Sequence, residues 1–326
     1  MKRREVIALL GGVAAVWPLK ANAQAAAAPT IGYLSGLSEV QALPQLTAFR
    51  RGLNELGFVD GRNIAIEFRW ADGQYDRLPG MAAELVRRRV TVIVAQTPPA
   101  ALAAKEATAT IPIVFVVGFD PVGAGLIASL ARPSGNITGI SLQQTGLAPK
   151  RIEILRELVP KSRVIAMLVN PVSPNAAPEV KDASAAAQAM GLQLKLFNAS
   201  TLAELGAVHA AITGQRPDAL LVSSDPFFVI QRAVLVELAG RLDIPAIYPQ
   251  REYVAAGGLI SYGTNVASAY HQAGNYAGRI IKGAKPADLP SMQPTTFELL
   301  VNLKTAKAHR FDIPSALLTR ADEVIE

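Results

Sequence analysis

The sequence predicts an α/β fold of two lobes, each a parallel sheet flanked by helices. Three observations predict it. Short apolar runs alternate with longer stretches in which apolar residues recur at three and four, the strand and helix signatures. The strand runs are continuous rather than alternating, as parallel strands covered on both faces require. The alternation comes in two successive series of similar size, in a chain of 326 residues, a length for about two domains.

The first series contains strands TIGYLS (30–35), IAIEFRWA (64–71), TVIVAQ (91–96), IPIVFVVG (111–118) and NITGISL (136–142). Helical patterns separate them at 43–57, 76–89, 99–108 and 121–131. Gly57 and Gly191 sit where a left-handed residue closes a helix. The second series contains strands RVIAMLVN (163–170), LQLKLFN (192–198), ALLVSS (219–224), IPAIYP (244–249) and GLISYG (258–263). Its helices are expected around 175–190, 201–214, 227–242 and 251–256. A further helix (265–283), a Pro-rich stretch (284–294), one more strand (296–302) and a short tail complete the chain. The right-handed crossover rule makes each series a parallel sheet with helices on both faces. The expected division is 24–145 plus about 264–295 in the first lobe and 146–263 in the second, with the lobe of 296–326 left open. Crossings between lobes fall near 143–147, 263–265 and 290–296.

Half the residues are hydrophobic, enough for a sizeable core, and 18% are charged, without long runs of one sign. The net charge is +6, but Lys2, Arg3, Arg4 and Lys20 against Glu5 carry half of it. The remainder does not call for a nucleic-acid partner. Residues 1–23 combine a basic start, the apolar run Val6–Trp17 and Ala21-Asn22-Ala23, the pattern of a signal peptide cleaved after Ala23. Arg3-Arg4 resembles a twin-arginine signal without its usual tail, so the Sec route stands beside it. Either route places the mature chain in the periplasm. Cysteine is absent, which excludes disulfides and thiolate chemistry. His209, His271 and His309 lack a second ligand at metal spacing, so no metal site is expected. There is no G-x-S-x-G, P-loop or dinucleotide fingerprint, and no cofactor is expected.

Parallel α/β units bind ligands outside the carboxyl ends of their strands, here in a cleft between the lobes. Candidate residues are therefore read at strand ends. Ser35 and Gly36 precede a helix whose free N–H groups suit an anion, or form a plain turn. Thr97 is placed to cap a helix that Pro98 opens. Phe119 offers a ring and Asp120 a carboxylate, with helix capping as the alternative role of the latter. Asn170 and Ser173 follow one strand of the second series, and Ser224 and Asp225 follow another. Asp225 repeats the Asp-Pro strand end of the first series, so that the two ends clamp a polar solute between lobes. Tyr248, Arg251 and Tyr262 lie at later strand ends; Arg251 offers a fork for a carboxylate or meets a surface acid.

RREVIALLGG near the start, IPIVFVVGFDPVGAGLIASLARPSGNITG (111–139), LVNP (168–171), SSDPFF (223–228), IYPQREYVAAGGLISYG (247–263) and RADEVIE (320–326) resemble the ABC-transporter substrate-binding proteins of the tryptophan/tyrosine-binding type. The resemblance runs in order through nearly the whole chain. It implies a type I periplasmic-binding-protein fold and the capture of a small solute, an amino acid or small aromatic carboxylate. It further implies delivery to an inner-membrane ABC permease with its cytoplasmic ATPase; hinge closure is the expected motion, and a monomer suits a part that must dock and release. A non-enzyme is expected. The other readings are an exported ligand sensor for a signalling receptor, and a cleft hydrolase using Asp120 and Asp225.

Overall fold

The computed structural model describes residues 28–294 and 296–326; the expected signal peptide lies outside the described residues. The first series forms β1 (Thr30–Ser35), α1 (Glu39–Glu55), β2 (Ala65–Trp70), α2 (Leu78–Arg87), β3 (Val92–Gln96), α3 (Pro98–Ala107), β4 (Ile113–Val117) and β5 (Ile137–Ser141). All five strands are parallel, in the order β2-β1-β3-β4-β5. Successive side chains of a strand point to opposite faces. Tyr33 and Val94 accordingly enter the core against α1, while Leu34 and Ile93 enter the core against α2 and α3. Continuous burial of β3 and β4 on both faces is why their sequences are unbroken apolar runs.

The second series forms α4 (Ala148–Leu158), β6 (Val164–Val169), α5 (Ala176–Ala189), β7 (Gln193–Asn198), α6 (Leu202–Gln215), β8 (Ala219–Val222), α7 (Pro226–Ile230), α8 (Arg232–Leu242), β9 (Ala246–Tyr248), α9 (Arg251–Ala255) and β10 (Ile260–Thr264). Then come α10 (Val266–Ile281), β11 (Phe297–Asn302), α11 (Leu303–His309), α12 (Ser315–Arg320) and β12 (Glu323–Ile325). The second sheet runs β12-β11-β10-β9-β8-β6-β7, parallel except for the antiparallel pair β10–β11. The C-terminal residues thus extend the second sheet at its edge.

Helix α10 leaves the second series and packs on α1 in the first core. The contact is close because both helices carry glycine at the crossing. A Cβ on Gly52 would sit 2.0 Å from the His271 carbonyl oxygen, and one on Gly274 would sit 2.1 Å from that of Phe49. Around this crossing Phe49 and Leu53 are buried, each contributing about 1.5–3 kcal/mol relative to exposure.

The chain passes between the sheets after β5, after β10 and before β11, and these segments are bonded together. The Thr264 hydroxyl donates to the Leu142 carbonyl at 2.7 Å. Met292 N–H donates to Gly139 O at 3.0 Å and accepts on its own carbonyl from Ser141 N–H at 2.9 Å.

Four local expectations are corrected. Helix α1 starts at Glu39, before 43, because Ser38 Oγ caps it by accepting from Gln41 N–H; Pro44 lies inside. Residues 121–131 form turns instead of a helix: Gly125 adopts φ 66° and the Ala128 N–H donates to Pro133 O, which breaks the helical ladder. The helix expected over 227–242 is two, interrupted at Gln231. The tail holds two helices and a strand.

Candidate functional site

In a doubly wound sheet the crevice opens where strand order reverses. In the first sheet that point lies between β1 and β3, in the second between β6 and β8. The segments following these strands face one another across a cavity. Thr97 and Pro98 line it from the first lobe, and Asn175, Ser224 and Asp225 from the second. Leu37, Val116, Leu142, Val229 and Val266 give it aliphatic walls.

On the first-lobe wall, Thr97 has φ 97° and ψ 150°, a region costly for any residue with a Cβ. Its neighbours hold it there. Thr97 N–H donates to Val116 O at 3.0 Å, and its carbonyl accepts from Ala101 N–H at 3.0 Å. The hydroxyl oxygen accepts from Gly36 N–H at 3.2 Å instead of capping α3. A Cβ on Gly36 would come within 2.8 Å of that oxygen, so glycine is what fits. Ser35 Oγ accepts from Leu37 N–H at 3.0 Å. The N–H groups expected to be open to an anion at 35–37 therefore have partners inside the protein.

On the second-lobe wall, Asp225 caps α7. Its Oδ1 accepts from Phe227 N–H and from Asn170 Nδ2, both at 2.9 Å. The hydroxyl of Tyr75, from the first lobe, reaches Oδ1 at 2.9 Å and Oδ2 at 3.0 Å. That hydroxyl also accepts from Phe227 N–H at 3.0 Å. Burial pushes the Asp225 carboxyl up, and the donors Asn170, Ser173, Tyr75 and Phe227 oppose the rise. Burial, and then the negative Asp225, push the Tyr75 phenol well above its usual range.

Beneath this wall lies a fully buried ion pair, Arg151–Glu179, at 3.0 Å. Glu179 accepts from Ser224 N–H at 2.8 Å and Ser224 Oγ at 3.1 Å. Arg151 donates to Tyr262 O at 2.9 Å and to Gln144 O at 3.2 Å. The pair thus ties the cleft strand end to two of the crossings between lobes. Burial pushes Glu179 up to about 7, while Arg151 and the Ser224 donors pull it down.

Several buried polar atoms at the cavity have no partner among the described residues: both amide atoms of Gln144, Oδ1 of Asn175 and Oε1 of Gln250. Asn175 Nδ2 donates to Ser224 O at 2.7 Å, which fixes that amide with its oxygen toward the cavity. Unpaired buried polar groups are rare in proteins, and a cluster of them at one cavity points to a ligand.

The strand-end residues divide into three groups. Thr97, Pro98, Ser224 and Asp225 line the cavity. Ser35, Gly36, Asn170 and Ser173 stand one bond behind it; Asn170 Oδ1 accepts from Ser200 Oγ at 2.8 Å. The remaining five do not line it. Phe119 is in the core beside α3, and Asp120 is exposed, with Oδ1 accepting from Val122 N–H at 3.0 Å. Both border a separate groove with Gln143, Thr145 and Lys181. Asp120 and Asp225 line different cavities, so the carboxylate pair a cleft hydrolase needs is not assembled. Tyr248 stacks on Tyr253 at 4.8 Å in the second core. Arg251 pairs on the surface with Glu298 at 3.0 Å and Glu323 at 2.5 Å. The Tyr262 ring rests near Phe297, centroids 6.1 Å apart.

Sequence reasoning missed Tyr75, which bonds Asp225, and Gln144, Asn175 and Gln250, which line the cavity. Gln250 and Asn175 lie close to named strand ends, so a search extended a few residues further would have found them. Tyr75 opens a short 3-10 helix after β2, one residue before the helical pattern read at 76–89, and ends no strand.

The two facing lobes and the cleft at their switch points define the type I periplasmic-binding-protein fold. The family model for ABC transporter substrate binding proteins matches residues 40–325, and the chain belongs to that family. A tyrosine-binding protein of Clostridioides difficile (strain R20291) is 28% identical over 277 residues, spanning 84% of this chain and 79% of the relative. The crystal structure of an ABC domain from Streptococcus pneumonia in complex with L-Trp superposes with a TM-score of 0.81 at 26% identity, over 90% of this chain and 100% of that one. The ligand-free, open structure of a substrate binding protein with adhesive properties from Clostridium difficile gives 0.62 at 26% identity, over 91% and 99%. At equal identity the chain superposes more closely on the L-Trp complex than on the open, ligand-free structure of the other protein. The Tyr75–Asp225 bonds between lobes agree with a closed arrangement.

Proposed function

We propose that this protein captures an amino acid, aromatic or with a comparable apolar side chain, in the periplasm and delivers it as a monomer to an inner-membrane ABC permease. The observation that carries the reading is a cleft in which unpaired amide atoms of Gln144, Asn175 and Gln250 line the same cavity as one carboxylate, Asp225. Acceptors of that kind suit an ammonium group, and the aliphatic walls suit a hydrocarbon side chain. The similarity to a tyrosine-binding protein and to an L-Trp complex supports the same class. Closure presents a joined two-lobe surface, by which occupancy is read at the membrane.

The test is thermal melting of the chain from Gln24 with L-Trp, L-Tyr, aliphatic amino acids, purines and sugars. A solute at a hundredfold its Kd stabilises by about 2.7 kcal/mol, a clear upward shift. Asp225→Asn keeps a good capping residue but replaces an acceptor by a donor, and is expected to abolish the shift. Absence of a shift with every amino acid, or conversion of the bound solute to product, sinks the reading.

A further inference from the structure

We infer that Gln144 is the ligand contact that couples the solute to the hinge, and that it takes the zwitterionic head of an α-amino acid. The inference rests on the amino-acid reading above and adds the residue that reads the head group. Gln144 lies in the first crossing, between β5 and α4. It is 1% exposed and borders the cavity, yet neither amide atom has a partner among the described residues. Because both atoms are free, the conclusion does not depend on which is nitrogen.

The backbone around it is held from both sides. The carbonyl of Gln144 accepts from Arg151 of the second lobe at 3.2 Å. The N–H of Thr145 donates to Gly118 O of the first lobe at 3.2 Å. These two groups belong to one peptide unit, so each lobe grips an opposite end of the same plane. Turning the lobes relative to one another must turn that plane or break one bond, and the Gln144 side chain moves with it. The preceding residue, Gln143, is in the left-handed region at φ 51°, so the chain is already bent sharply there.

The chemistry of the partner follows from the lining. A carboxamide offers one donor and one acceptor side by side. The other acceptors lining the cavity are Asn175 Oδ1, Gln250 Oε1 and Asp225, and among the described residues no Lys, Arg or His lines it. The ammonium of an α-amino-acid head donates to these acceptors, and its single carboxylate takes the Gln144 amide N–H as donor. A dicarboxylate would bring a second negative charge to a wall with no cation.

Closing without solute strands the Gln144 amide; closing with solute satisfies it. The test exploits that sign difference. The chain has no cysteine, so Val40→Cys and Leu202→Cys, both exposed and one on each lobe, give a clean dye pair for single-molecule energy transfer. Gln144→Met is close in volume and removes both polar atoms. Without solute, Q144M is expected to populate the closed form about tenfold more than Gln144 does. With L-Trp, L-Tyr or L-Leu as probes, its affinity is expected to fall at least tenfold. A purely structural Gln144 would lower the ligand-free closed population on substitution, and that result overturns the inference, as does affinity within twofold of the unsubstituted protein. If no amino acid closes the unsubstituted protein, the amino-acid reading fails; the ligand-free populations then decide alone, a rise in Q144M supporting the hinge contact and no change or a fall overturning it.

Discussion

Replacing Tyr75 with Phe removes one oxygen and leaves the ring in place, packed against core residues of both lobes. That oxygen makes three contacts with the second lobe, two to Asp225 at 2.9 and 3.0 Å and one from Phe227 N–H at 3.0 Å. A hydrogen bond to a charged group contributes about 1.5–3 kcal/mol net. In the open form both partners are hydrated, so the loss falls on the closed form. Asp225 keeps its Asn170 and Phe227 donors, which limits the damage to the link between lobes. The closed-to-open ratio is expected to drop about 10- to 150-fold, since about 1.4 kcal/mol is a factor of ten. When the binding-competent form is a minority, apparent Kd rises by the same factor. Isothermal titration with the solute found by melting measures it, and solution scattering follows the shape. An unchanged Kd refutes the latch. Tighter binding would show that the hydroxyl competes with the solute for Asp225.

Two other substitutions test the walls of the cleft. Thr97→Gly and Thr97→Ala both lose the bond to Gly36, but only glycine relieves a strain of about 1–3 kcal/mol at φ 97°. After allowance for about 0.5–1 kcal/mol of added unfolded-chain freedom, the glycine variant should melt a few degrees above the alanine one; the reverse order would remove the case for strain. Glu179 tests linkage. Its folded value, raised by burial to about 7, exceeds the unfolded 4.5, so between those values the native state holds more of its proton. Its contribution to stability is therefore fully present at low pH and is lost as pH rises through that window, at up to about 1.4 kcal/mol per pH unit. Glu179→Gln lowers stability overall, because it strands Arg151, but should flatten this slope in melting curves from pH 4.5 to 7.5. An unaltered slope would show that the titration belongs to another group.

The two-lobed parallel architecture was legible because buried parallel strands write themselves as unbroken apolar runs, as in IVFVV of β4. The 121–131 segment misled because its apolar spacing fits a helix, while Gly125 and the Pro133 contact decide otherwise. At the site, strand-end logic reached Thr97, Pro98, Ser224 and Asp225, since switch points depend on strand order. It missed what depends on side-chain direction. Tyr248 ends β9, but the sheet is covered on both faces and sends its ring into a core. Two residues later Gln250 enters the cleft, while Arg251 opens α9 toward surface acids. Gln144 and Tyr75 owe their roles to contacts between distant segments that no local pattern records.

The packing of α10 on α1 sets an order of events during synthesis and folding. The face of α1 that α10 covers, including Phe49 and Leu53, has no mate until every strand from β6 to β10 has emerged. The second sheet lacks its β11–β12 edge for longer still. Neither lobe can be finished while the chain is incomplete, so contacts between remote segments must form late. Late, non-local contacts slow folding and prolong the exposure of apolar surface. A holding chaperone that shields α1 until α10 arrives would shorten that exposure, and a chain truncated before Val266 should aggregate even though its first five strands are intact.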